Sequence, residues 1–119
     1  MPRPFRLAAP RLTENDVEAQ CLDILNLHRY WVRKLHAGVF LSIDGRRHIK
    51  GVPKGTPDYV CLHGRHRSFL LEVKRPGGVL HPDQEIQIAV AREQFDLPVA
   101  VVDSIDALSA WLERHERSP

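Results

Sequence analysis

Apolar and polar positions alternate along this chain in two periods, and the switches between them mark the expected elements. From Thr13 to about Arg29, Val17, Cys21, Ile24 and Leu25 share one face at helical spacing, behind Thr13 as N-cap and Asp16 at N3. Asp16 and Asp23 fall on the opposite side. Glu14 and Glu18 instead lie in line with the apolar face, at its N-terminal end. The helix dipole explains their sign there but not their face. Tyr30 to Leu35 reads as a first strand. Val39 to Ile43 and Arg46 to Ile49 read as a hairpin, since Asp44-Gly45 supplies the positive φ angles of a type I′ turn. Lys50 to Pro57, broken by glycine and proline, is a loop.

Asp58 to Leu62 and Phe69 to Lys74 predict a second hairpin, with the polar segment His63 to Arg67 between them. Arg75 to Pro82 is another loop. Asp83 to Phe95 predicts a helix with Ile86, Val90 and Ala89 inward. Leu97 to Val102 is apolar almost throughout, as an interior strand is. Ser104 opens a final helix with Leu108, Trp111 and Leu112 inward. This order of elements predicts an α/β fold, a mixed central sheet flanked by helices.

The second hairpin carries the chemistry. Glu72 and Lys74 are i and i+2 of a strand, so a carboxylate and an ammonium project from one face. If the hairpin is centred on Arg65, Asp58 lies across from Glu72, with Cβ atoms about 5 Å apart. Two carboxylates at that spacing repel unless they share a cation, and hard oxygen ligands suit Mg²⁺ or Mn²⁺. The carbonyl of Val73 is the expected third ligand. The bland alternative is three solvated charges on an exposed strand face.

At 119 residues, one domain is expected, residues 13–119, behind a flexible arm of residues 1–12 rich in proline and arginine. Lys and Arg outnumber Asp and Glu by 17 to 15. The excess grows locally, because Arg46, Arg47, His48, Lys50 and Lys54 precede Asp58, and Arg65, His66 and Arg67 follow it. Such clusters suit phosphate backbones or plain solubility. No apolar run is long enough for a membrane span or a secretory signal. Cys21 and Cys61 fall at core positions and are expected to be reduced thiols, in a cytoplasmic setting. Cys61-x-His63-x-x-His66 offers three zinc ligands, but a closed site needs about four, and no second pair is evident.

Gly55-x-Pro57-Asp58, Glu72-Val73-Lys74-Arg75 and Leu80-x-Pro82-x-Gln84 resemble the PD-(D/E)XK nucleases. Within these the chain is similar to the VRR-NUC group, the small stand-alone nucleases of phages and bacteria, from about Thr13 to Trp111. The resemblance implies a restriction-endonuclease-like core and Mg²⁺-dependent hydrolysis of DNA phosphodiesters by Asp58, Glu72 and Lys74. It also implies a glutamine at position 84 and a first-helix glutamate completing the acids, Glu14 first and Glu18 in reserve. Arg46, Arg47, Lys50, Lys54 and Arg75 are the expected DNA contacts. Related enzymes act on branched and four-way DNA, which implies a homodimer, in a bacterial cell or phage-infected host. The other readings are a catalytically silent nucleic-acid-binding protein and a small-molecule phosphohydrolase.

Overall fold

The computed structural model describes residues 12–118; the expected arm at 1–12 lies, Leu12 apart, outside the described residues. Helix α1 (Glu14–Leu27) starts in a capping box, Thr13 accepting from Asp16 N–H while Asp16 accepts from Thr13 N–H. It ends two residues before the expected Arg29, because Arg29 takes a left-handed φ of 67° and Tyr30 N–H closes back on Leu25 O. Strand β1 (Trp31–Lys34) follows, then a short pair, β2 (Val39–Leu41) and β3 (His48–Lys50). Next come β4 (Tyr59–Leu62), β5 (Phe69–Val73), α2 (Pro82–Gln94), β6 (Val99–Val102) and α3 (Ile105–Arg117). No described helix is long and apolar enough to cross a membrane.

The main sheet runs β1-β4-β5-β6, with the first two pairings antiparallel and β5–β6 parallel. It is the mixed sheet with flanking helices that the element order predicts. Side chains alternate across it and divide the core in two. Tyr59, Cys61, Phe69, Leu71, Val73, Ala100 and Val102 face α1 and α3, meeting Val17, Cys21, Leu25, Leu108 and Leu112. Leu70, Val99 and Val101 face α2, meeting Ile88 and Ala91. Cys21 and Cys61 are free and buried, and burial pushes their thiols up to about 11 and about 12.

Three expectations are corrected. The apolar β6 is the outer strand of the described sheet, apolar because helices cover both its faces. Ile86 is exposed rather than inward; the inward face of α2 is Gln84, Ile88 and Ala91, spaced i, i+4, i+7. The Asp44-Gly45 turn is not type I′, since Gly45 has φ 70° while Asp44 stays at negative φ. Asp44 spends its carboxylate on the turn itself, accepting from Ser42 Oγ (2.5 Å) and Arg46 N–H (3.0 Å). The turn therefore extends from Ser42 to Arg47, and Arg46 and Arg47 stand at its tip rather than on the strand.

Candidate active site

The β4–β5 register, Tyr59 opposite Leu71 and Cys61 opposite Phe69, is centred on Arg65 as expected. Continued by one step it sets Asp58 across from Glu72, and by another, Pro57 across from Val73. Asp58 turns its own carbonyl to β1, accepting from Leu35 N–H at 2.7 Å. Its Oδ2 accepts the Val73 N–H at 3.1 Å. Proline has no N–H, so at that step the ladder offers no donor to the Val73 carbonyl. The Pro-Asp pair thus occupies the amide of Val73 and leaves its carbonyl without a hydrogen-bond donor among the described residues.

Gly55, at the head of the same motif, is forced by a close approach. Its φ is 89°, and a Cβ there would strike the Asp83 carbonyl and sit 2.9 Å from Gln84 N, at the start of α2. Gly55→Ala is expected to cost about 2 kcal/mol or more in urea unfolding and to displace the first turn of α2.

Glu72 is 1% exposed and Lys74, one residue past β5, 8%. Solvated surface charge is therefore excluded for both, while Asp58 is half-buried. Lys74 Nζ lies 3.6 Å from Glu72 Oε1 and donates to Gln84 Oε1 at 2.7 Å. Gln84 Nε2 donates to Glu72 Oε1 at 2.9 Å, and the His81 N–H reaches Gln84 Oε1 at 2.9 Å. Gln84 is thus both the N3 cap of α2 and a clamp between acid and lysine. The family resemblance marks Gln84 as a catalytic residue; in the fold its side chain contacts Glu72 and Lys74.

The second oxygen, Glu72 Oε2, is buried with no hydrogen-bond partner among the described residues. Such an orphan is rare and costly. Burial, then the negative charge of Asp58, pushes the Glu72 carboxyl up to about 7, with Lys74 only partly offsetting them. Asp58 is also raised, chiefly by burial, against the pull of the Val73 N–H. An unpartnered buried oxygen, a second carboxylate and a free carbonyl form a hard-oxygen donor set, and it fits a divalent cation of the Mg²⁺ or Mn²⁺ type.

The raised Glu72 carboxyl has a consequence for metal-free protein. Between its ordinary 4.5 and about 7 the folded chain holds a proton that the unfolded chain has released. Stability therefore falls as pH rises through this window, by on the order of 3 kcal/mol for this group alone. Unfolding free energies from urea titrations in EDTA at pH 5 and pH 8 should differ in wild type by that much more than in Glu72→Gln. Equal differences in the two proteins would remove the raised carboxyl.

The first-helix glutamates separate. Glu18 accepts the Tyr59 hydroxyl and pairs with Lys34 at 3.5 Å, which ties it to the α1 side of the sheet. Glu14 is exposed in the first turn of α1, and its charge helps to raise both Asp58 and Glu72. Among the described residues, however, no three His, Cys, Asp or Glu side chains converge as metal ligands. Glu14 is within electrostatic reach of the acidic pair without joining it. The same holds against the zinc arrangement: Cys61 is in the core, and His63 Nδ1 accepts the N–H groups of Arg65 and His66 while Nε2 meets His28 O.

Two clefts open at this end of the sheet. One is lined by Lys54, Gly55, Asp58, His81 and Gln84, the other by Glu14, Arg75 and Gly77. Lys54 and Arg75 thus flank the acidic pair, Lys54 also pairing with Asp83 at 3.4 Å. Arg46, Arg47 and Lys50 are on the separate hairpin. Nothing in the sequence singles out Tyr59, Lys34 and His81, since only the fold brings them to their partners. Compared with known families, residues 9–106 match the family described as the VRR-NUC domain. No curated protein matches the chain.

Proposed function

The chain belongs to the VRR-NUC family, a nuclease family of the PD-(D/E)XK superfamily with a restriction-endonuclease-like α/β fold, and from that membership we propose a metal-dependent DNA endonuclease. The observation that carries the metal is the buried, unpartnered Glu72 Oε2 beside Asp58. Asp58, Glu72 and the Val73 carbonyl would hold Mg²⁺ or Mn²⁺, with Glu14 in electrostatic reach of the pair. Bound there, such a cation supplies Lewis acidity toward the phosphoryl oxygen and acidifies water.

The chain's own residues do the rest. Lys74 Nζ, held by Gln84, would orient the attacking water and offset the charge that builds on the phosphoryl oxygens. Gln84 keeps Lys74 and Glu72 in register and is a positioning residue. Lys54 and Arg75, on either side of the acids, grip the phosphates next to the scissile bond. Residues 13–119 form one domain, cytoplasmic in a bacterial or phage-infected cell. Cutting both strands of branched or four-way DNA requires two such sites, which a homodimer supplies.

Plasmid DNA with Mg²⁺, Mn²⁺ or EDTA tests the activity. Nicking or linearisation with metal and none with EDTA is expected. Salt-sensitive retention of DNA without cleavage in any metal would leave a silent binding protein instead. Sedimentation and a comparison of linear, flap, nicked and four-way substrates test dimer and shape. The hairpin cations should act on affinity. Alanine at Arg46, Arg47 and Lys50 should flatten log affinity against log salt by about 0.9 for each phosphate no longer neutralised, and leave single-turnover cleavage of saturating DNA nearly unchanged. A wild-type slope in the triple mutant would confine the DNA groove to Lys54 and Arg75.

A further inference from the structure

The β2–β3 hairpin touches no other helix or strand among the described residues. A free two-stranded hairpin is marginal in water, so its order has to come from within. Its root is built closely: Gly51 N–H donates to Gly38 O at 2.8 Å and Val52 N–H to His36 O at 2.9 Å. A Cβ on Gly51 would collide with the His36 carbonyl. At the tip, Ser42 N–H donates to Arg47 O at 2.9 Å, Gly45 N–H to Ser42 O at 2.9 Å, and Arg47 N–H to Ser42 Oγ at 3.1 Å. The two bonds to Asp44 complete a set of five within the turn.

What this stapled turn presents outward includes a large apolar side chain. Ile43 is 110% exposed, at a turn position where a polar residue or proline is usual. Arg46 and Arg47 stand beside it, and neither they nor Lys50 is in an ion pair among the described residues. The one acid of the tip, Asp44, is spent within the turn. A second copy of this chain would bring like-charged tips together, whereas a polyanion meets both the cations and an apolar point.

We propose that Ile43 is a wedge that enters the base stack of bound duplex DNA, Arg46 and Arg47 holding the phosphates on either side. The proposal rests on the reading of this chain as a DNA nuclease and adds how it would deform its substrate. Apolar side chains flanked by arginine unstack and kink duplexes in this manner. Distance gives the wedge a place. The hairpin leaves the rim of the cleft that holds Asp58 and Gln84, where Ala37 and Lys54 line the wall. Val39 to Ile43 is four rises of at most about 3.3 Å, so the tip stands up to roughly 13 Å from the hairpin's root, or about four base-pair steps of about 3.4 Å. The distorted step is therefore a few base pairs from the cleaved phosphate.

The test uses the full chain and a set of 30-base-pair duplexes, each with 2-aminopurine at a different position, bound in Ca²⁺. The cleaved phosphate is mapped on the same duplexes in Mg²⁺. Wild type should raise the fluorescence several-fold at one or two neighbouring positions a few base pairs from that phosphate. Ile43→Ser, a change at a fully exposed site, should abolish the rise and keep the salt slope. An equal rise with Ile43→Ser, or no rise anywhere while wild type binds and cuts, overturns the wedge. Ile43→Ser turning a sedimenting dimer into monomer, with DNA fluorescence unchanged, assigns the tip to a second copy and also overturns it. Wild type that neither retains nor cuts the duplexes removes the nuclease reading and the wedge together.

Discussion

Glu72→Gln is expected to abolish cleavage while leaving a protein that folds at least as well as wild type. The amide keeps the shape of the side chain, and its oxygen can still accept the Gln84 Nε2 bond now made to Oε1 at 2.9 Å. What it loses is the negative charge of a carboxyl that burial and Asp58 already push up to about 7. Without that charge the donor set holds a divalent cation weakly. Lewis-acid stabilisation is worth several kcal/mol, and each 1.36 kcal/mol is a factor of ten, so the rate should fall by about three orders of magnitude or more. Asp58→Asn should do the same, because an amide oxygen can still accept the Val73 N–H now held at 3.1 Å. In EDTA at pH 8 both proteins should melt above wild type, since each relieves the repulsion between the two acids. Single-turnover rates in Mg²⁺ beside melting curves in EDTA separate the effects. Wild-type rates in either variant would remove the metal site.

Lys74→Ala should lower the single-turnover rate by about two to three orders of magnitude, the usual loss of one preorganised charge at a transition state. Its DNA affinity in Ca²⁺ should stay within about twofold, because Lys74 is nearly buried and is tied to Glu72 and Gln84 rather than offered to a groove. The variant also removes the one charge that lowers the Glu72 carboxyl. The pH at which the rate begins to rise should therefore move up. The hairpin cations give the contrast: one set changes turnover at constant affinity, the other affinity at constant turnover. A Lys74→Ala protein whose loss lies entirely in affinity would make this lysine a phosphate contact.

Much of this molecule is already present in the order of its residues, for local reasons. Strand alternation puts Glu72 and Lys74 on one face, and the turn centred on Arg65 sets Asp58 opposite Glu72, because both follow from neighbours a few residues away. Thr13 and Asp16 start α1, and Ser104 starts α3, by bonds within one turn. Tertiary packing decided the rest. Ile86 and Ile88 differ only in which face of α2 meets the sheet, and that depends on where Gln84 has to reach. β6 looks interior from its composition, since burial by helices on two faces gives the same pattern as burial between strands. Glu14 and Glu18 share one helical line, yet only the approach of Tyr59 and Lys34 tells them apart. The isolation of the Glu72 carboxylate is likewise a property of the assembled site. A side chain's neighbours along the chain set its direction, but its desolvation and its partners come from segments far away in sequence.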